Sequence, residues 1–108
     1  MGSNGLNVRS DGTVDVAGSL TFDTVPNFLA QGTAWLNGGK DAITLDMKAV
    51  SKADSAGLAL MLEWLQQARK SGGTIHFVNI PERVQVLIRV NGLARAFGVQ
   101  TNGQDLQD

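Results

Sequence analysis

The sequence predicts an α/β domain built on a mixed, mostly parallel sheet, in the order β-β-α-β-α-β-α. Three observations carry this. Leu6 and Val8, then Val14 and Val16, alternate with polar residues around Asp11-Gly12, the pattern of two short strands joined by a turn. Two apolar runs, Ala42 to Met47 and Thr74 to Asn79, have the length of buried strands. Stretches with helical spacing precede each of these runs, and strands separated by helices imply parallel pairing through right-handed crossovers. The opening hairpin adds an antiparallel edge.

Taken in order, Gly18-Ser19-Leu20 is expected to break the second strand. Asp23 or Thr24 then caps a helix with Pro26 in its first turn. Val25, Phe28, Leu29, Ala34, Trp35 and Leu36 follow its spacing, and Asn37-Gly38-Gly39 ends it. After the strand at Ala42 to Met47, Lys48 to Asp54 reads as a polar stretch. The strongest helix runs from about Ser55 to Lys70 and stops at Ser71-Gly72-Gly73. Beyond the strand at Thr74 to Asn79, Pro81 opens a helix that continues to about Val90 and closes at Asn91-Gly92. Leu93, Ala94, Phe97 and Val99 suggest a last short element. Residues 1–5 are read as a disordered N-terminus or cloning remnant, 6–100 as the domain, and 101–108 as a flexible tail.

Bulk properties narrow the function. A chain of 108 residues suits one domain, and 43% hydrophobic against 18% charged residues excludes a disordered charged tail. A net charge of -1 gives no long-range attraction to nucleic acid or to an anionic membrane. With no cysteine there is no disulfide framework and no thiolate site. No apolar run approaches the ~18 residues needed to cross a bilayer, and the N-terminus lacks the pattern of a secretion signal. The expectation is a soluble, intracellular protein that does not insert in the membrane.

Catalytic chemistry finds little support. His76 is the only histidine and sits mid-strand, where a structural role is favoured over a triad. Asp46 and Asp54 could pair for acid–base work, but the favoured reading is a strand end and a helix cap. Gly38-Gly39-Lys40 lacks the first glycine and the hydroxyl residue of a phosphate loop, because Ala34 and Asp41 stand at those positions. Arg83, Arg89, Arg95 and Lys70 are spread over separate elements and make no basic stripe. We therefore expect no enzyme, cofactor, metal site or nucleic-acid partner.

Asp54-Ser55-Ala56-Gly57 directly precedes an apolar helical run. Free N–H groups at a helix start favour negative charge, so a phosphate on Ser55 would be well placed. An ordinary cap explains the same spacing. The helix that follows has two apolar stripes. Leu58, Met61, Leu62, Leu65 and Ala68 share one face. Ala56, Leu60 and Trp64 fall roughly 160° to 240° away at ~100° per residue. They form either a docking patch beside Ser55 or a stripe folded over the edge of the core. Burial of Leu60 and Trp64 decides between these.

The segment Val50-Ser51-Lys52-Ala53-Asp54-Ser55-Ala56-Gly57-Leu58-Ala59-Leu60-Met61 resembles the signature of STAS domains, the family named for sulfate transporters and anti-sigma factor antagonists. Ile43-Thr44-Leu45-Asp46 and the element order also match, from about Leu6 to Val99. The resemblance implies the SpoIIAA-like fold, a mixed sheet with helices mainly on one side. In the antagonists of this family, the serine matching Ser55 is phosphorylated by a kinase that is also the anti-sigma factor, and phosphate disrupts their binding. A narrower likeness lies in Gly18 to Pro26, Asp54 to Trp64, Asn79-Ile80-Pro81 and Asn91-Gly92-Leu93. These are similar to the STAS subunit of the bacterial Mla phospholipid transporter, also associated with toluene tolerance. That subunit implies an ABC transporter ATPase as partner and, through it, a membrane permease. It also implies a cytoplasmic location peripheral to the inner membrane. The implied partner-binding residues are Asp54, Ser55, Ala56, Gly57, Leu60 and Trp64, with Ser55 also the candidate phosphorylation site.

Overall fold

The computed structural model describes residues 5–36 and 42–97. Strands β1 (Gly5–Val8) and β2 (Val14–Leu20) form the expected antiparallel hairpin, with Leu6 opposite Val16. Its turn is fixed as the sequence suggests. The Asp11 carboxylate accepts from the Thr13 N–H at 2.8 Å, and Gly12 takes the left-handed φ of 91° that a β-carbon would oppose.

β2 does not break at Gly18. Gly18 adopts φ 105°, the register shifts between Gly18 and Ser19, and the strand continues to Leu20. Such an irregularity bends a strand without ending it. The bend separates two partners on one side of β2. The first half, at Val14 and Asp15, pairs in parallel with β3 (Ala42–Asp46); the second half, from Gly18 to Leu20, pairs in parallel with β4 (Val50–Ala53). The expected polar stretch at Lys48 to Asp54 thus contains a strand. Its residues lack two-fold alternation because Ser51 and Lys52 are both exposed. Pairing with β2, rather than local pattern, makes it a strand.

On its other side β3 pairs in parallel with β5 (Thr74–Val78), giving the sheet order β1-β2-β3-β5 with β4 beside β2. Helix α1 (Val25–Leu36) links β2 to β3, and α2 (Ser55–Lys70) links β4 to β5. Both connections advance across the sheet in the same direction, so right-handed crossovers place both helices on one face. α2 packs against α1, against β5 and against α3 (Glu82–Val90). A single turn, α4 (Ala94–Phe97), brings Phe97 edge-on to Phe77, with ring centroids 5.4 Å apart. The core lies between sheet and helices, with Val14, Val16, Leu45, Ile75 and Phe77 facing Phe28, Met61, Leu65, Val84 and Ile88.

The expected helix stops at Ser71-Gly72-Gly73 and Asn91-Gly92 are both present. Gly73 N–H reaches back to Ala68 O and Leu93 N–H to Ile88 O, each at 2.8 Å, across glycines with positive φ. β1 begins at Gly5, one residue before the expected start. The stop at Asn37-Gly38-Gly39, the loop with Lys40 and Asp41, Val99, residues 1–4 and the tail at 101–108 lie outside the described residues.

Candidate partner-binding site

The start of α2 is fixed from both ends of a short bridge. Asp54 N–H donates to Leu20 O at 3.2 Å, which extends the β2–β4 pairing to the last residue before the helix. The Asp54 backbone is extended (φ -128°), and its carboxylate accepts from the Ala56 N–H at 2.8 Å. Asp54 is therefore the cap, satisfying one of the free donors of the first turn. Three residues on, Gly57 N–H donates to Asp54 O at 2.9 Å. Gly57 lets α2 sit low on the sheet: a β-carbon there would stand 3.2 Å from Leu20 Cβ and 3.5 Å from Ala53 Cβ.

With Asp54 acting as the cap, Ser55 has no structural task. It is exposed, and its hydroxyl makes no hydrogen bond among the described residues. It stands at the C-terminal edge of the parallel strands, where connections leave the sheet and ligands of open α/β sheets bind. Ser55, Ala56 and Ala59 of α2, with Phe22 from the turn before α1 and Val25 and Pro26 from its start, line an apolar depression of about 470 Å³. Phe22 is 84% exposed. Leaving a phenyl ring in water forgoes roughly 1.5–3 kcal/mol of burial free energy, and no packing among the described residues offsets this. Sequence reasoning missed Phe22 because it sits among the turn residues Thr21, Asp23 and Thr24, outside any strand or helix period.

The expected extension of this surface along α2 is not met. Leu60 is 2% and Trp64 1% exposed, so neither offers a surface to a partner. The physical reason is that α2 is the middle helix: one stripe faces the sheet, and the other faces α1. Trp64 rests against Gly32 of α1, and Thr33 donates to Gln67 at 3.0 Å beside it. The candidate site therefore keeps Asp54, Ser55 and Ala56, has Gly57 beneath it as a packing residue, loses Leu60 and Trp64, and gains Phe22, Val25, Pro26 and Ala59.

The alternatives weighed for catalysis separate in space. Asp46 ends β3 and is buried. It accepts from Arg9, from the Lys48 N–H at 2.9 Å and from the Asn79 amide at 3.0 Å. Burial pushes its carboxyl pKa up, but the hydrogen bonds from Asn79, Lys48 and Arg9 outweigh this and hold it below the ordinary carboxylate value. Arg9 is shared with Asp15 at 2.6 Å, and hydrogen bonds first to Asp15 and then to Asp46 raise its pKa. Asp46 is thus a clasp tying the β1–β2 turn to the ends of β3 and β5, and it shares no hydrogen-bond partner with Asp54. His76 is exposed, and no acid or nucleophile among the described residues hydrogen-bonds to it. No cluster of three metal-ligating residues occurs among the described residues, and none of the described helices is long and apolar enough to cross a membrane.

Solved structures of similar fold include anti-sigma factor antagonists and a sulfate transporter family protein from Wolinella succinogenes. A putative anti-sigma factor antagonist from Thermotoga maritima superposes with a TM-score of 0.72 at 22% identity, covering 94% of this chain and 90% of its own. An anti-sigma factor antagonist from Mycobacterium paratuberculosis gives 0.71 at 21% identity, covering 94% and 88%. The antagonist SpoIIAA in its unphosphorylated form gives 0.61 at 18% identity, covering 87% and 97%. At these identities the likeness establishes the fold. No curated protein matches the sequence at a significant level. The family described as "Mlab, STAS domain" matches residues 7–101, which takes in every strand and helix described above except the first residues of β1, so the chain belongs to the STAS domain family.

Proposed function

We propose that this chain is a non-catalytic adaptor that docks, through the start of α2, onto the ATPase subunit of a phospholipid-trafficking ABC transporter of the Mla, or toluene-tolerance, type. In this reading it is cytoplasmic, is held at the inner membrane by its partners, and reaches the permease only through the ATPase. The carrying observation is the division of labour at the helix start. Asp54 caps α2, which leaves the exposed Ser55 hydroxyl unengaged at the rim of an apolar depression. A surface that needs no rearrangement to be presented suits a constitutive contact. The match to the family described as Mlab supports the transporter over other partners. Copurification of the full chain with the ATPase subunit of such a transporter from the same cells tests the proposal. An ATPase that elutes without this chain at micromolar concentrations of both would overturn it.

A second reading is favoured by the structural neighbours, which are named as anti-sigma factor antagonists. Here Ser55 is a switch: an anti-sigma factor kinase binds the unmodified surface and releases it on phosphorylation. Mass spectrometry of the protein from stressed and unstressed cells checks this. Complete absence of Ser55 phosphate, together with an unaltered response in a Ser55→Ala strain, would eliminate it.

A further inference from the structure

We infer that Phe22 is the anchor of the docking surface. It inserts into an apolar pocket, edged by a lysine or arginine, on the protein that Ser55 contacts. The inference rests on the docking reading above and names the side chain that dominates it. Three observations carry it. First, Phe22 is the most exposed large apolar residue described, and it adjoins the depression lined by Val25, Pro26, Ser55, Ala56 and Ala59. The ring and the hollow beside it form one continuous apolar surface with Ser55 on its rim. Aromatic side chains in such central positions supply most of the binding energy of an interface.

Second, the turn carrying Phe22 is held rigid. Thr24 Oγ1 accepts from the Thr21 N–H at 2.9 Å and donates to Ser19 O at 2.6 Å, while Thr24 N–H and Val25 N–H both donate to Thr21 O. The backbone on both sides of Phe22 is fixed before any partner arrives, so little ordering cost is left to binding. A rigid exposed aromatic is a poor arrangement for a solvated loop and a good one for an anchor.

Third, two acidic residues adjoin the lining residues in sequence. Asp23 follows Phe22 and is exposed, Asp54 precedes Ser55, and neither forms an ion pair among the described residues. Charge complementarity therefore calls for a cation at the edge of the partner's pocket. The hydroxyl of Ser55 then faces the same boundary, where a phosphate would add to the negative charge.

Titration of the full-length chain against the purified ATPase subunit tests this, with Val90→Ala as control, since Val90 is 74% exposed but lies on α3. Phe22→Ala should weaken binding at least about 30-fold, as hot-spot truncations do, at unchanged melting temperature. Phe22→Tyr should restore most of the affinity, and Val90→Ala should bind as wild type. Asp23→Lys should weaken binding by an amount that shrinks at high salt. Wild type and Phe22→Ala binding within two-fold of each other would overturn the anchor while leaving the docking reading intact. Failure of wild type itself to bind would overturn the docking reading and the anchor with it.

Discussion

Gly32 of α1 leaves a notch that the indole of Trp64 on α2 occupies: a β-carbon at position 32 would stand 2.8 Å from Trp64 Cζ2. The ring is buried there, and its Nε1–H has no hydrogen-bond partner among the described residues. The α1–α2 contact thus buries the largest of the fully buried side chains described.

Gly32→Ala should destabilise the fold. Alanine gains up to ~1 kcal/mol of helix propensity, but forcing a methyl into a filled notch costs about 1–3 kcal/mol, and the contact distance makes sterics the larger effect. Urea unfolding should show a net loss of roughly 1–2 kcal/mol. In a Trp64→Leu background the notch is empty, so the same substitution should be neutral or stabilising. Equal effects of Gly32→Ala in both backgrounds would show that the two residues do not couple.

This contact also explains how the second apolar stripe of α2 was legible and yet misread. Leu60 and Trp64 are visible in the sequence as apolar residues opposite the sheet-facing stripe. What periodicity does not show is how many neighbours a helix has. A helix flanked on both sides needs two stripes, and the signal for a flanking helix was Gly32, a glycine inside the helical pattern of Val25 to Leu36. The element order was otherwise readable because strand runs, turns and glycine stops coincide along most of the chain. β4 and the continuation of β2 past Gly18 were not, since both depend on pairing between segments some thirty residues apart. At the site, the cap and the exposed serine were legible, whereas Phe22 became meaningful only once folding set the starts of α1 and α2 side by side.

Asp46 should give the protein a specific acid sensitivity. Its folded-state pKa lies below the ordinary carboxylate value near 3.9. Its contribution is therefore present above that value and is lost as pH falls through the folded-state pKa. Asp46→Asn, which cannot accept as an anion from Arg9, should lower stability at pH 7 by about 2 kcal/mol. The gap to wild type should then close as pH falls below the ordinary carboxylate value and through the folded-state pKa. Asp11 also has a lowered pKa, through hydrogen bonds from Thr13, so the wild-type curve alone does not isolate Asp46. The difference between the two curves does, and a constant gap across the range would rule out the clasp as its origin.

Asp54→Ala should cost about 1 kcal/mol, the usual effect of removing a capping carboxylate, with Asp54→Ser recovering most of it. Ser55→Ala should leave stability within about 0.5 kcal/mol, since the hydroxyl has no partner to lose among the described residues. Chemical denaturation of the three variants checks this. If Ser55→Ala proves the more damaging, the cap has been assigned to the wrong residue.

Ser55→Asp separates a surface effect from unfolding. A negative charge at the first residue of α2 meets the positive end of the helix dipole and should stabilise the fold by about 0.3–1 kcal/mol. The same charge stands in the lining of the Phe22 depression, next to Asp54 in the chain, where a partner offering a cation and an apolar pocket must tolerate it. On a constitutive transporter contact, Ser55→Asp should weaken ATPase binding only a few-fold, because a cationic partner edge offsets the added charge. On a phosphate-switched contact it should abolish binding while the melting temperature rises or stays level. Paired measurements of melting temperature and affinity on this one variant thus discriminate the two modes. A fall in melting temperature would instead show that Ser55 has a structural partner in the folded protein.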